Sequence, residues 1–275
     1  MIDILLARLS QGHQTMAYPN AAPAPLSARF RGLPVLDATK CPDGCAKCVE
    51  SCPTEAISTG MGMDVRNGPT LDLGRCLFCT ECTKACPEGA ISHSGNYAMA
   101  VRQREDLLLT PQQTLKIAHE LDAKLKKLLG RSLKIRVVSA GGCNACEADV
   151  NVLGTIGWDL QRFGIDFVAS PRHADALLLT GALSRNMELA VKKTWDAMPG
   201  PKVVIAVGAC AISGGPYINH PEVLNGASAI LPVDLFIPGC PPHPLTILDG
   251  LLRLLGQKIC EPEIHKPGRA SFNEQ

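Results

Sequence analysis

Apolar residues change their rhythm along this 275-residue chain. From 133 onward, short continuous apolar runs alternate with longer stretches in which apolar residues recur every three to four positions. Residues 134–139, 176–180, 203–207 and 235–238 read as strands, the third strictly apolar. Between and after them, 144–163 reads as a helix with apolar Val150, Leu153, Ile156 and Leu160, and 186–198 and 244–255 read as helices too. Continuous apolar strands alternating with helices predict an α/β unit, a parallel sheet covered on both faces, over 132–258.

The first half is patterned differently. Ile2, Leu5, Leu6 and Leu9 form one side of a short amphipathic helix, and a Pro- and Ala-rich arm follows from 19 to 33. So short a helix is marginal alone, so 1–35 is a docking arm. Its target is either the chain's own body or a partner subunit or membrane interface. Residues 59–74 read as a hairpin with turn signals at Asn67, Gly68 and Pro69. Thr110, Pro111, Gln112 and Gln113 look like a capping box. It opens a linker helix within 106–131 on which Leu115, Ala118, Leu121, Leu125 and Leu128 form one stripe, ending at Gly130. Lys116, Lys124, Lys126 and Lys127 lie off that stripe as a solvated face rather than a binding patch.

Composition narrows the class. Hydrophobic residues at 46% can supply a sizeable core for one or two domains, and a net charge of +1 gives no reason to expect nucleic acid. No run of 18 apolar residues and no leader pattern is visible, so any membrane association is expected to be peripheral or through partners. The thirteen cysteines are clustered rather than spread as in a secreted disulfide scaffold, which fits a reducing cytoplasm.

Eight of them form two runs. Cys41, Cys45, Cys48 and Cys52-Pro53 make the first; Cys76, Cys79, Cys82 and Cys86-Pro87 make the second, with the C-x2-C-x2-C-x3-C-P spacing of bacterial ferredoxins. In that pattern the fourth cysteine of each run crosses to the other cluster. Cys41, Cys45, Cys48 and Cys86 are therefore expected on one [4Fe-4S] cube, and Cys76, Cys79, Cys82 and Cys52 on another. The first run has one extra residue, Asp43 or Gly44, which a left-handed glycine absorbs. Zinc and disulfides are the bland alternatives; four cysteines within a dozen residues, twice, suit neither. The repeat of Cys-Pro-Thr-Glu-Ala-Ile at 52–57 as Cys-Pro-Glu-Gly-Ala-Ile at 86–91 marks an internal duplication within 36–105. Each alanine-isoleucine pair is expected to shield a cube from water.

A third group is set by position. Cys143, Cys210 and Cys240 each stand just beyond the carboxyl end of a predicted strand, where open parallel sheets bind ligands, and Cys146 supplies a fourth thiol. One further [4Fe-4S] cluster is the economical reading, with four buried structural cysteines as the alternative. The helix starting near Asn144 points its positive end at such a cluster. The glycine-rich stretch 208–216 lacks the Gly-Lys-Ser/Thr ending of a phosphate loop. Glu147 complements the helix dipole or serves in proton transfer or a partner contact. His173 reads as structural and Cys260, in the polar tail 259–275, as an unligated thiol.

Together, Gly142-Cys143-Asn144-Ala145-Cys146-Glu147, Arg162-Phe163-Gly164-Ile165, the 170–175 stretch Ser-Pro-Arg-His-Ala-Asp, Thr180-Gly181-Ala182, Gly208-Ala209-Cys210 and Pro238-Gly239-Cys240-Pro241-Pro242 resemble the small subunit of membrane-bound, energy-converting [NiFe] hydrogenases. The formate hydrogenlyase type, related to the cluster-bearing subunit of respiratory complex I, is the nearest pattern. Residues 1–105, including Gly12 to Thr15 and Phe30 to Pro34, resemble the two-cluster ferredoxin subunit of the same complexes. The resemblance implies a flavodoxin-like doubly wound parallel sheet preceded by a bacterial-ferredoxin-like domain. It implies three [4Fe-4S] clusters, that of Cys143, Cys146, Cys210 and Cys240 being proximal to nickel. The implied function is an electron-transfer subunit of an oxidoreductase that carries no substrate-converting site of its own. Its implied partners are a [NiFe] large subunit, membrane subunits and a soluble donor or acceptor module, on the cytoplasmic side of the inner membrane. The rival is a complex I-like dehydrogenase without nickel; the matching subunit of complex I has adjacent cysteines where this chain has Gly142 before Cys143, which favours hydrogenase.

Overall fold

The computed structural model describes residues 2–12, 14–42, 44–59, 68–129 and 132–260. After helix α1 (Ile2–Gln11) and an irregular arm come strand β1 (Pro34–Leu36), helix α2 (Lys47–Glu50), β2 (Ile57–Thr59), β3 (Pro69–Asp72), α3 (Glu81–Ala85), β4 (Ile91–His93) and β5 (Leu108–Leu109). β1 pairs antiparallel with β4, and β2, β3 and β5 form a second antiparallel sheet. Each cysteine run thus carries one short helix. Asp72 at the end of β3 accepts two hydrogen bonds from Arg104, at 2.6 and 2.9 Å, which ties the unit's exit back to its centre.

The chain continues through α4 (Ala123–Leu129), β6 (Leu133–Ser139), α5 (Ala145–Val152), β7 (Ile165–Phe167), β8 (Ala176–Thr180), α6 (Arg185–Ala197), β9 (Val203–Val207), α7 (Gly208–Ser213), β10 (Leu235–Ile237) and α8 (Pro244–Leu254). The five strands pair in the order β10-β9-β8-β6-β7, all parallel. Counted from β6, this is the 2-1-3-4-5 order of flavodoxin-like sheets.

Alternation along the central strands gives the sheet two apolar faces. Ala176, Leu178, Ile205, Val207, Leu235 and Ile237 pack under α5 and α8. Leu177, Leu179, Val204, Ala206 and Phe236 face the other way, into a core shared with Leu73, Met99, Val101 and Leu107 of the cysteine-rich unit. Val101 also exchanges both backbone hydrogen bonds with Phe236 (3.0 and 2.9 Å), adding an antiparallel bridge beyond β10. The two cysteine-bearing units therefore share one apolar core.

The arm packs on the chain's own body. Tyr18 is fully buried and donates to Asp249 on α8 at 2.9 Å, while Arg253 holds the other carboxylate oxygen, also at 2.9 Å. Burial and the neighbouring carboxylate push the Tyr18 phenol far up, so it stays a donor. Arg162 grips the arm's backbone at Met16 (2.7 Å) and Tyr18 (2.6 Å). α1, by contrast, has no buried residue.

Two expectations change. The linker helix is confined to Ala123–Leu129. Upstream, the Ala118 N–H donates to Ala100 and that of Leu121 to Leu254, so tertiary pairing takes the backbone groups a helix would use, and Thr110 closes a turn on Gln113. The helix expected over 144–163 stops at Val152, because Gly154 and Gly157 follow and Asp159 turns left-handed at φ 47°; strand β7, not anticipated, comes next. The hairpin's arms are β2 and β3, whereas Asn67, Gly130, Asp43, His13 and the tail from 261 lie outside the described residues.

Tyr18→Phe keeps the ring and removes one buried hydrogen bond to the Asp249 carboxylate. It is expected to cost about 1–3 kcal/mol, read as a thermal unfolding midpoint a few degrees lower; an unchanged midpoint would show that the arm contributes nothing at this point.

Candidate metal centres

In the N-terminal unit, Cys41, Cys45, Cys48 and Cys86 line one cavity of about 520 Å³. Cys52, Cys76, Cys79 and Cys82 line a second, narrower hollow floored by Ile57 and Leu71. Each site draws three cysteines from one run and one from the other. The duplicated tails act alike: the Ala56 N–H donates to Cys52 Sγ at 3.2 Å and the Ala90 N–H to Cys86 Sγ at 3.3 Å. Ala56, Ile57, Ala90 and Ile91 are all buried beside these sulfurs. The Phe78 N–H donates to Cys76 Sγ at 3.3 Å, with Phe78 itself left-handed at φ 53°. Gly44 is left-handed at φ 74°, the conformation that accommodates the longer first run.

The third group stands at the carboxyl edge of the parallel sheet. Cys143 follows β6 in the turn before α5, Cys146 lies in the first turn of α5, Cys210 is carried by α7 after β9, and Cys240 follows β10. Gly141 (φ 90°) and Asn144 (φ 71°) bend the first of these loops. Glycine is needed here for space as well as for turning. A Cβ on Gly208 would stand 2.6 Å from Cys146 Sγ, and one on Gly215 would stand 2.8 Å from Cys210 Sγ. Gly181, at the end of β8, lies so close to the Cys143 loop that its Cβ would meet the Gly142 nitrogen at 2.5 Å. Neither this packing nor the helix that carries Cys210 is marked by any local pattern, since both are consequences of strand order.

Electrostatics show how crowded the thiols are. Burial raises the Cys48 thiol to about 11, with Cys41 adding to it, and raises Cys76 to about 12. Burial and then Cys210 push Cys146 well up, and burial and then Cys240 raise Cys210 to about 11. Without a cation the buried thiols of all three groups keep their protons; a metal centre supplies the positive charge that releases them. Cys240, although its residue is exposed at the surface, is raised by desolvation of its sulfur, then by Cys143 and Cys79, so Cys79 lies within Coulombic reach of the third group.

These donor sets fit iron-sulfur cubes. None of the thirteen cysteines, all among the described residues, forms a disulfide. Among the described residues no three His, Cys, Asp or Glu side chains close on a single metal ion. At the two N-terminal sites, four thiols spaced around a hollow, with N–H groups aimed at sulfur, suit a polynuclear cluster.

Other singled-out residues take supporting places. Glu147 is buried and accepts from Thr180 Oγ1 at 2.7 Å; burial pushes its carboxyl up, but hydrogen bonds from Ser139 and Thr180 outweigh that and hold it below the usual range. His173 is exposed on a single turn, and Cys260 donates its N–H to the Pro19 carbonyl of the arm.

A family model described as NADH ubiquinone oxidoreductase, 20 Kd subunit, matches residues 143–254, and a 4Fe-4S dicluster domain matches residues 9–91. Formate hydrogenlyase subunit 7 of Escherichia coli is 42% identical over 155 residues, 56% of this chain and 60% of that protein, so the chain spans less than two thirds of it. Probable membrane-bound hydrogenase subunit mbhJ of Pyrococcus furiosus is 41% identical over 133 residues, 48% of this chain and 80% of that protein. An NADH-quinone oxidoreductase subunit of Clostridium beijerinckii is 45% identical over 123 residues, 44% of this chain and 72% of that protein. Sequence likeness, the parallel sheet and the gathered thiols thus agree that the chain belongs to the NADH ubiquinone oxidoreductase 20 Kd subunit family, as an iron-sulfur small subunit of the hydrogenase type with an N-terminal 4Fe-4S dicluster domain.

Proposed function

We propose that this chain is an electron-transfer subunit of a membrane-bound hydrogenase complex, holding three [4Fe-4S] clusters in series beside a [NiFe] centre in a partner large subunit. The observation that carries the reading is the meeting of Cys143, Cys146, Cys210 and Cys240 at one edge of the sheet, with Cys240 in reach of Cys79 from the ferredoxin unit. Cys41, Cys45, Cys48 and Cys86 hold the first cluster, and Cys52, Cys76, Cys79 and Cys82 the second. Bound there, the clusters supply one-electron transfer at potentials tuned by hydrogen bonds, charge and exposure.

The chain's own residues do the tuning. N–H groups of Ala56, Phe78 and Ala90 stabilise negative charge on sulfur, and the buried alanine-isoleucine pairs keep water from two of the sites. Gly208 and Gly215 leave room for the sulfurs of the third. Cys143 and Cys240 are exposed, which leaves that edge open to the large subunit. Among the described residues no helix is long and apolar enough to cross a membrane. Attachment to the cytoplasmic face of the inner membrane is then peripheral, through membrane partner subunits, with a soluble module exchanging electrons at the far end.

Iron and acid-labile sulfide are each expected at about twelve per chain, four per cluster. Cys260→Ser leaves both counts unchanged; a loss of about four irons would place Cys260 among the ligands instead. Gly208→Ala, which drives a methyl into Cys146 Sγ, is expected to remove about four irons and the paramagnetic signal of the third cluster while the other two persist. Full iron retention would show that the Gly208 backbone does not crowd a ligand. The complex purified from its host is expected to contain nickel and to reduce a viologen dye with hydrogen; an intact, iron-replete complex that does neither overturns the hydrogenase assignment.

A further inference from the structure

Arg31 stands where the arm crosses from one cysteine-bearing unit to the other. Its Nη1 donates to the Phe78 carbonyl at 2.8 Å. Phe78 lies between Cys76 and Cys79, and its own N–H is already committed to Cys76 Sγ at 3.3 Å. Arg31 and Phe78 line a cavity of about 350 Å³ together with Gly239, Cys240 and Pro241. The neighbouring arm residue, Phe30, packs edge-on against His243 with ring centroids 5.3 Å apart, and both rings line the same cavity. His93, whose ring is 6.3 Å from that of Phe78, lines the hollow of Cys52, Cys76, Cys79 and Cys82, so Phe78 connects Arg31 to the wall of the second site.

We propose that Arg31 is a positioning residue that raises the reduction potential of the cluster held by Cys52, Cys76, Cys79 and Cys82, through its charge and its hydrogen bond to the Phe78 carbonyl. The inference rests on the three-cluster reading above. A cluster in its thiolate cage gains one negative charge when it takes up one electron from a neighbouring centre. A fixed cation beside its ligand loop stabilises that reduced form more than the oxidised one. The same guanidinium fixes the peptide between two of the ligands, beside a cavity that Cys240 also lines. Arg31 is exposed at the mouth of the cleft, so its effect is screened and falls as salt rises.

The test is a redox titration of the purified full complex, followed by electron paramagnetic resonance, with Arg31→Gln and Arg31→Lys compared to the parent. Arg31→Gln is expected to shift one midpoint to more negative potential and leave the other two in place. Arg31→Lys is expected to stay near the parent value, and the gap between the Gln and Lys variants to shrink as ionic strength rises. Unchanged midpoints in Arg31→Gln, an equal shift of all three, or coincidence of the Gln and Lys variants overturns the proposal. If Arg31→Gln loses about four irons, Arg31→Met replaces it; loss of the cluster there too means that Arg31 is only structural and the proposal falls. A parent complex without three distinct clusters would instead sink the reading on which the proposal stands, leaving the two failures separable.

Discussion

The structure depends on a parallel sheet with two apolar faces, of which the cysteine-rich unit covers one. Leu177, Leu179, Val204, Ala206 and Phe236 are buried against Leu73, Met99, Val101 and Leu107 rather than against a helical layer alone. A fully buried Leu, Ile or Phe is worth about 1.5–3 kcal/mol, against about 1 kcal/mol net for a hydrogen bond. The apolar contact, more than the Val101–Phe236 bridge or the Arg162 clamp, therefore fixes how the units sit. Because interiors are packed at crystal-like density, that contact holds Cys79 and Cys240 in a defined relation that a flexible tether could not maintain.

A second constraint is the cost of gathering thiols. Burial lifts Cys48, Cys76, Cys146 and Cys210 well above the ordinary thiol range, so a thiolate at any of them is favoured only beside a positive charge. The backbone answers that cost locally through N–H groups aimed at sulfur and through glycines that admit the sulfur atoms. Gly208 and Gly215 act by the absence of a side chain, as Ala56 and Ala90 act by their amides.

The arm joins these two themes. Its buried Tyr18 is anchored to Asp249 on α8, and Arg31 reaches the loop of the second cysteine run, so one irregular segment touches both units. Exposed α1 extends from it with its apolar side uncovered in the isolated chain.

The sequence by itself determined what depends on near neighbours. Cysteine spacing, the duplicated Ala-Ile tails and the buried strands β8 and β9 were legible because ligand spacing and side-chain period are local properties. The third cysteine group was also legible by position, since residues just after the strands of a parallel sheet must lie along one edge. What the tertiary structure decided was everything set by contacts remote in sequence. The expected helix before Ala123 gave way to pairing with Ala100 and Leu254, Gly181 became a close neighbour of Gly142, and the sheet took its second face from a unit some hundred residues upstream. No local pattern encodes these, because an amide or an apolar side chain is satisfied equally by a helix of its own or by a distant partner, and only the complete packing chooses between them.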